Sequence, residues 1–474
     1  MRLMTPDLEV LKVARYEIHL RACANAVLPP FLGSALRGAF GHALKAVACS
    51  MPHGDCGRCL LVERCLYPKL FETSARSRNR ASSSGARTSG FLTNDAVLDG
   101  GDRLQGAGRT PENGMFAWGA GRLLKKRQDA PRPFIFIPPL PSTDSGLFRA
   151  RDDLLRWRVR VKAGEPVVFG LSLIGDAIND LPYVIYAISL MAQHGFGAER
   201  VPFALERVAA ITAQGDRQIV YLAQSNRIEE HLSCHSSLGM LTRARLIQLL
   251  MEPAETAKAE TVGLVTRRQA ASAGVGTAGA AREISATSAA PGRSGTVPAA
   301  ATQTSVTRAA SALGRPEDAS ADMNAAVDVG SLVGSSTGNW LAARGNEITL
   351  SFITPTRMRL KGRVIEDPSF SQLISSLSLR LSMLAETFAD APLSYDYKSM
   401  IERARDVTTH DSTLRLMALD RYSNRRGKLE LDGFMGDVTF AGPAIYELLP
   451  LLVAGEFLHV GSGTAFGLGR YVIV

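Results

Sequence analysis

His42 stands in a short run whose residue types could handle a phosphodiester: Arg37, Gly38, Gly41, His42 and Lys45. Imidazole is the side chain whose charge changes near neutral pH, so it can accept or return a proton. Neighbouring cations can offset charge that builds on a phosphorane, and glycine lets a phosphate approach the backbone. At helical spacing, positions 38, 41, 42 and 45 share a face opposite the apolar stripe Leu36, Phe40 and Val47, with Arg37 one turn before Gly41. The plainer alternative is a solvated or capping histidine between surface charges. His459 competes with it, although Leu458-His459-Val460 also suits a core or loop-positioning role. His19 alternates with Glu17 and Arg21 on one strand face, and His53 falls within a cysteine-rich segment. His194, His231, His235 and His410 have no supporting neighbours.

A second feature lies near the end of the chain: Gly461, Gly463, Gly467 and Gly469, followed by Arg470. Four glycines in nine residues permit positive φ and close approach to a ligand, and amides in such a loop can line an anion-binding concavity beside Arg470. The spacing G-x-G-x-x-x-G-x-G is not the dinucleotide fingerprint. The loop also runs from helix to strand, whereas nucleotide-binding glycine loops run from strand to helix. A tight connecting turn is the competing explanation.

Cys49, Cys56, Cys59 and Cys65 cluster with the spacing C-x6-C-x2-C-x5-C. In a reducing compartment this points to a structural metal, zinc before iron–sulfur, with ordinary packed thiols as the alternative. Cys23 and Cys234 are expected to pack. Two segments could meet RNA. Arg421, Tyr422, Asn424, Arg425, Arg426 and Lys428 combine cations with an aromatic ring, and Arg357, Arg359, Lys361 and Arg363 alternate after Pro355. A charged loop and an ion-paired sheet face are the respective alternatives. No carboxylate cluster with spacing suited to a metal-dependent nuclease occurs.

These residues need positioning elements. The chain has 474 residues, 46% hydrophobic, and a net charge of +9, which favours an anionic partner. No apolar run approaches the roughly 18 residues of a spanning helix, and the N-terminus lacks a signal-peptide pattern, so a cytoplasmic protein without membrane association is expected. Residues 74–130 and 255–337 read as flexible low-complexity insertions.

Outside them, two halves share a grammar. Tyr16, Ile18 and Leu20 alternate in a strand, and a helix follows from Ser34, an N-cap candidate, to about Ala48. Strands are expected at 133–137, 157–161, 167–173, 203–208 and 217–222, with a helix over 177–194. In the second half, Ile348, Leu350 and Phe352 alternate, and Phe370, Leu373, Leu377, Leu381, Leu384 and Phe388 stripe a helix. Strands near 428–431 and 435–440, a helix over 443–454 and a strand at 471–474 complete it. Strand-helix-strand-strand-helix-strand, twice, gives an α+β fold of two tandem ferredoxin-like (RRM-like) domains. The expected boundaries are 1–225 for the N-terminal domain, 226–345 for a linker and insertion, and 346–474 for the C-terminal domain.

With these pieces in place, the chain resembles the CRISPR repeat-processing endoribonucleases (the Cas-six type) of the repeat-associated RNA-binding superfamily. The segments that carry the resemblance are the loop Gly461–Gly469, residues 28–45, Phe169–Gly175, Arg421–Arg425 and Leu350–Lys361. The branch with an N-terminal cysteine cluster fits best. The resemblance implies repeat RNA, or its precursor, lying across a basic face of two ferredoxin-like domains. It also implies metal-independent cleavage: the ribose 2′-hydroxyl attacks the adjacent phosphate and leaves a 2′,3′-cyclic (or 3′) phosphate and a 5′-hydroxyl. In that family the catalytic histidine sits on or near the first helix, where His42 lies, with Lys45 or Arg37 as electrostatic stabiliser. RNA contacts are expected from Gly461, Gly463, Gly467, Gly469, Arg470, Arg421, Tyr422, Arg425, Arg357 and Lys361. No catalytic cofactor is expected, and subunits of a CRISPR effector complex are possible partners. The rival is a non-catalytic repeat-RNA-binding subunit.

Overall fold

Alternation of apolar and polar residues sets the first strand, β1 (Lys12–Ala22). Its Tyr16, Ile18 and Leu20 are buried, while Arg21 is exposed. In the computed structural model the described residues are 6–29, 31–51, 56–72, 131–139, 159–197, 199–229, 235–251, 341–342, 344–360, 363–389, 391, 393, 395–417, 420–423, 427–430 and 432–474. The two expected insertions, 74–130 and 255–337, lie outside them.

After β1 come α1 (Gly33–Ala48) and the short α2 (Leu66–Leu70). Next are β2 (Phe134–Ile137), β3 (Pro166–Ile174), α3 (Leu181–His194), β4 (Phe203–Ile211) and β5 (Arg217–Leu222). The antiparallel sheet runs β2-β3-β1-β4-β5, with Ile18 opposite both Phe169 and Val208. Its helix-bearing face closes over Phe40, Phe134 and Phe136, whose rings meet edge to face at 5.4–5.6 Å. Each such pair adds roughly 0.5–1.5 kcal/mol beyond area burial.

The helix α4 (Leu238–Met251) falls within the span read as linker, and it is folded. Its sequence hides this because its apolar residues form no single stripe; Met240 and Ile247 are exposed while Leu241, Leu246 and Leu249 are buried. The second sheet uses β6 (Glu347–Thr356), α5 (Phe370–Phe388), α6 (Tyr397–Ala404), β7 (Thr408–Ser412), β8 (Gly433–Ala441), α7 (Ile445–Leu458) and β9 (Tyr471–Ile473). Its order is β7-β8-β6-β9, all antiparallel. A reciprocal cap starts α5: Gln372 N donates to Ser369 Oγ (3.4 Å), and Ser369 N donates to Gln372 Oε1 (3.0 Å).

Both sheets therefore have the ferredoxin-like plan, order 2-3-1-4 with crossover helices after the first and third strands. The α+β class is as expected. The described residues of 1–251 and 337–474 form one compact unit, so the two sheets pack as a single body. Arg245 on α4 joins them. Its Nε donates to Glu456 Oε2 on α7 (3.1 Å), and its Nη2 to the Ile473 carbonyl (3.3 Å).

Two local expectations are corrected. The N-cap of α1 is Leu32, not Ser34, which lies inside the first turn. The basic run after Pro355 is not one strand: Arg359–Leu360 pairs with Arg363–Val364 as a hairpin, with Arg359 and Arg363 exposed.

Candidate functional site

Helix α1 and the glycine loop meet directly. A Cβ at Gly33 would lie 1.7 Å from the Phe466 carbonyl oxygen, so only glycine admits the loop there. One turn on, the Arg37 guanidinium sits 4.3 Å from the Phe71 ring centroid and 4.6 Å from that of Phe466. At Gly41 a Cβ would meet the Phe71 ring at 2.2 Å. The Lys45 ammonium lies 5.7 Å from the centroid of Tyr67, which stacks on Phe71 at 5.5 Å. Arg37, Gly41 and Lys45 thus form a stripe against an aromatic shelf.

That arrangement corrects the reading of Gly41 as part of an open phosphate-facing surface: it is buried under Phe71. His42, on the outer edge of the stripe, is exposed, and Gly38, one turn before it, has open space where a Cβ would stand. A substrate atom can reach the imidazole from solvent, with Lys45 three residues away on the adjoining turn.

The loop is built by hydrogen bonding and by four left-handed glycines: Gly461 (φ 79°), Gly463 (79°), Gly467 (88°) and Gly469 (75°). Within the loop, Gly467 N donates to Thr464 O (2.8 Å), and Gly469 N to Pro355 O (3.0 Å). Thr354 Oγ1 donates to Gly467 O and accepts from Arg470 N, both at 2.9 Å. At Gly467 and Gly469 a Cβ would strike the Phe136 carbonyl (2.5 Å) and the Val460 carbonyl (1.8 Å). Gly467 and Gly469 are therefore buried packing positions rather than an open anion cradle, and burial also lowers the Arg470 pKa. Gly461, Ser462 and Gly463 remain at the surface, beside Arg357. The Arg357 carbonyl accepts from Ser462 N (2.9 Å) and Ser462 Oγ (3.2 Å).

His459 is 1% exposed and caps α7 at φ 58°, with Nδ1 3.2 Å from Leu468 O. Desolvation, then the Arg470 and Arg380 charges, push its pKa down to about 3. It stays neutral and out of reach of substrate. Arg380 is itself buried, donating from Nε to Leu458 O at 2.7 Å, and desolvation brings its pKa down to about 9. His19 is likewise engaged: its Nε2 lies 2.9 Å from Glu17 Oε1.

Arg421 and Tyr422 lie on the hairpin Asp420–Ser423/Gly427–Glu430. Lys361, Asn424, Arg425, Arg426, His53 and Cys234 fall outside the described residues. Of the four clustered cysteines, Cys56 is buried, and burial with nearby Glu72 pushes its thiol up to about 11. Cys65 Sγ is 3.8 Å from Ala48 O, at the end of α1. Among the described residues no three His, Cys, Asp or Glu side chains gather where a metal ion could sit. The aromatic residues Phe71 and Phe466 were not legible as site residues. Their signal is the pair of helix glycines, Gly33 and Gly41, which admit them.

The protein is thus an α+β protein with two ferredoxin-like sheets, in which the glycine loop packs on α1 and His42 is exposed on that same helix. Residues 350–471 match the family model for the CRISPR-associated endoribonuclease Cas6. Residues 11–91 and 116–233 match a second model, the AF_1859_N N-terminal domain. The first of these matches takes in most of the second sheet and the whole glycine loop, so this region is similar to the Cas6 endoribonuclease family. An uncharacterized protein of Archaeoglobus fulgidus is 41% identical over 54 residues, 11% of this chain. The matched stretch spans 19% of that relative's length. Among solved structures, a Cas6 product complex aligns over 98% of this chain and 100% of its own, at 12% identity and a TM-score of 0.39. Thermus thermophilus Cas6 aligns over 98% and 99%, at 12% identity and a TM-score of 0.34. Among the described residues, no helix is long and apolar enough to cross a membrane.

Proposed function

We propose that this protein is a CRISPR precursor-RNA processing endoribonuclease that binds repeat RNA and cuts it without a catalytic metal. The observation that carries the proposal is the exposed His42, set beside Lys45 on a helix whose first turns are locked to the glycine loop of a Cas6-family region. The ribose 2′-hydroxyl attacks the neighbouring phosphate, and the bond to the 5′-oxygen breaks. One product carries a 2′,3′-cyclic (or 3′) phosphate and the other a 5′-hydroxyl. His42 exchanges the proton that leaves the 2′-oxygen or reaches the 5′-oxygen, and Lys45 offsets the charge on the phosphorane. The surface segment Gly461–Gly463, Arg357 and the hairpin bearing Arg421 and Tyr422 contact the RNA. Effector-complex subunits are further partners, and the cytoplasm is the place of action. A structural zinc on Cys49, Cys56, Cys59 and Cys65 is a separate expectation, decided by elemental analysis of the purified protein.

The test is incubation of the protein with labelled cognate repeat RNA in excess EDTA, followed by analysis of the product ends. Cleavage at one site, with a 5′-hydroxyl on the downstream fragment, is expected. Cleavage that vanishes on chelation while the fold persists would refute the mechanism. Binding without any cleavage would make the chain a repeat-RNA-binding subunit.

A further inference from the structure

We infer that Phe466, acting through Arg37 and Phe71, is a positioning residue that fixes the glycine loop in register with His42. The inference rests on the endoribonuclease reading for its consequence but on geometry for its existence. Two contacts tie the loop to α1: the Phe466 backbone enters the gap at Gly33, and its ring lies against the Arg37 guanidinium. The same guanidinium lies against Phe71, which follows α2 and fills the gap at Gly41. His42 is the next residue. Eight residues of helix span about 12 Å, so the clamp runs from the loop to the base of the imidazole.

At Gly33, which opens α1, and at Gly41, inside it, a Cβ would collide with Phe466 and Phe71, so glycine stands at both ends of the same clamp. An arginine whose guanidinium lies against two aromatic rings is suited to holding the segments that carry them together. Arg37 is thereby moved from the electrostatic role expected of it to a positioning one, leaving Lys45 as the cation beside His42. The clamp also sets specificity. RNA gripped at Gly461–Gly463 presents one phosphodiester to His42 only if the loop and helix keep their spacing.

The test uses the full chain and four variants: Phe466→Ala, Phe466→Trp, Arg37→Ala and Arg37→Lys. In the absence of RNA, amide exchange across residues 461–469 should rise at least tenfold in Phe466→Ala and in Arg37→Ala. Arg37→Lys, which loses the planar stack, should resemble Arg37→Ala. With repeat RNA, Phe466→Ala should lower the single-turnover cleavage rate ten- to a hundredfold and add cuts at neighbouring positions, with affinity changed less than threefold. Phe466→Trp should restore rate and position. Unchanged loop exchange in both alanine variants overturns the clamp whether or not the protein cuts. So does a loss of affinity in proportion to the loss of rate. Faster exchange in a protein whose wild type never cuts leaves the clamp standing and removes the nuclease reading alone.

Discussion

Two helices bring a histidine to the neighbourhood of the glycine loop, and the two histidines meet opposite fates. α1 presents His42 to solvent beside Gly38, where nothing crowds the backbone. α7 ends in His459, sealed at 1% exposure between the loop and the buried Arg380 and held neutral down to about pH 3. Similar chemistry at the level of residue type becomes a candidate proton carrier in one place and a fastener in the other. Accessibility, not proximity to the glycines, separates them. The loop divides in the same way: Gly467 and Gly469 are packed inside, while Ser462 is exposed between the half-buried Gly461 and Gly463.

The comparison breaks most severely at the glycines. Gly33→Ala places a methyl 1.7 Å from the Phe466 carbonyl, and loop and helix must separate. A loss of about 3–5 kcal/mol in urea unfolding is expected; a loss below about 1 kcal/mol would mean the loop does not dock there. Next in size is the tie between the sheets. Arg245→Ala leaves the Glu456 carboxylate, whose pKa burial already raises, without its cation, and should cost about 2–4 kcal/mol. Glu456→Gln keeps an oxygen for Ile473 N and should cost less.

The His459 side of the comparison is sharpened by pH. Its folded pKa is depressed to about 3, so below the ordinary imidazole value the unfolded chain takes up a proton that the folded chain refuses. Stability should be complete above about pH 6.5 and fall as pH drops, by about 2 kcal/mol at pH 5 from this group alone. His459→Asn, which tolerates the left-handed backbone, should flatten that limb. An unchanged slope would mean His459 is accessible to protons after all. The smallest effect is expected at the surface pair of exposed Arg403 and half-buried Glu447, whose removal should cost less than about 1 kcal/mol.

Much of the fold was legible because periodicity reports burial. The alternation in β1 and β6 and the long stripe of α5 each led to the right element, and the order of elements led to the ferredoxin-like plan. α4 escaped because its apolar residues are spread around the helix, and β7 because all five of its residues are exposed. At the site, helical spacing puts Gly38, Gly41, His42 and Lys45 on one face. It could not say that Gly41 faces Phe71 rather than a ligand, since that depends on a segment thirty residues away. The glycine spacing announced the left-handed backbone but not that half of it is packing. A glycine needed because a carbonyl stands where its Cβ would be looks, in sequence, like one needed for a phosphate.

The most direct test of the account compares wild-type protein with His42→Ala on labelled repeat RNA in EDTA, measuring affinity and single-turnover cleavage together. The account predicts affinity within about threefold and cleavage slowed roughly 10²–10⁴-fold, the span of a lost general acid or base. Equal cutting by both proteins would contradict it.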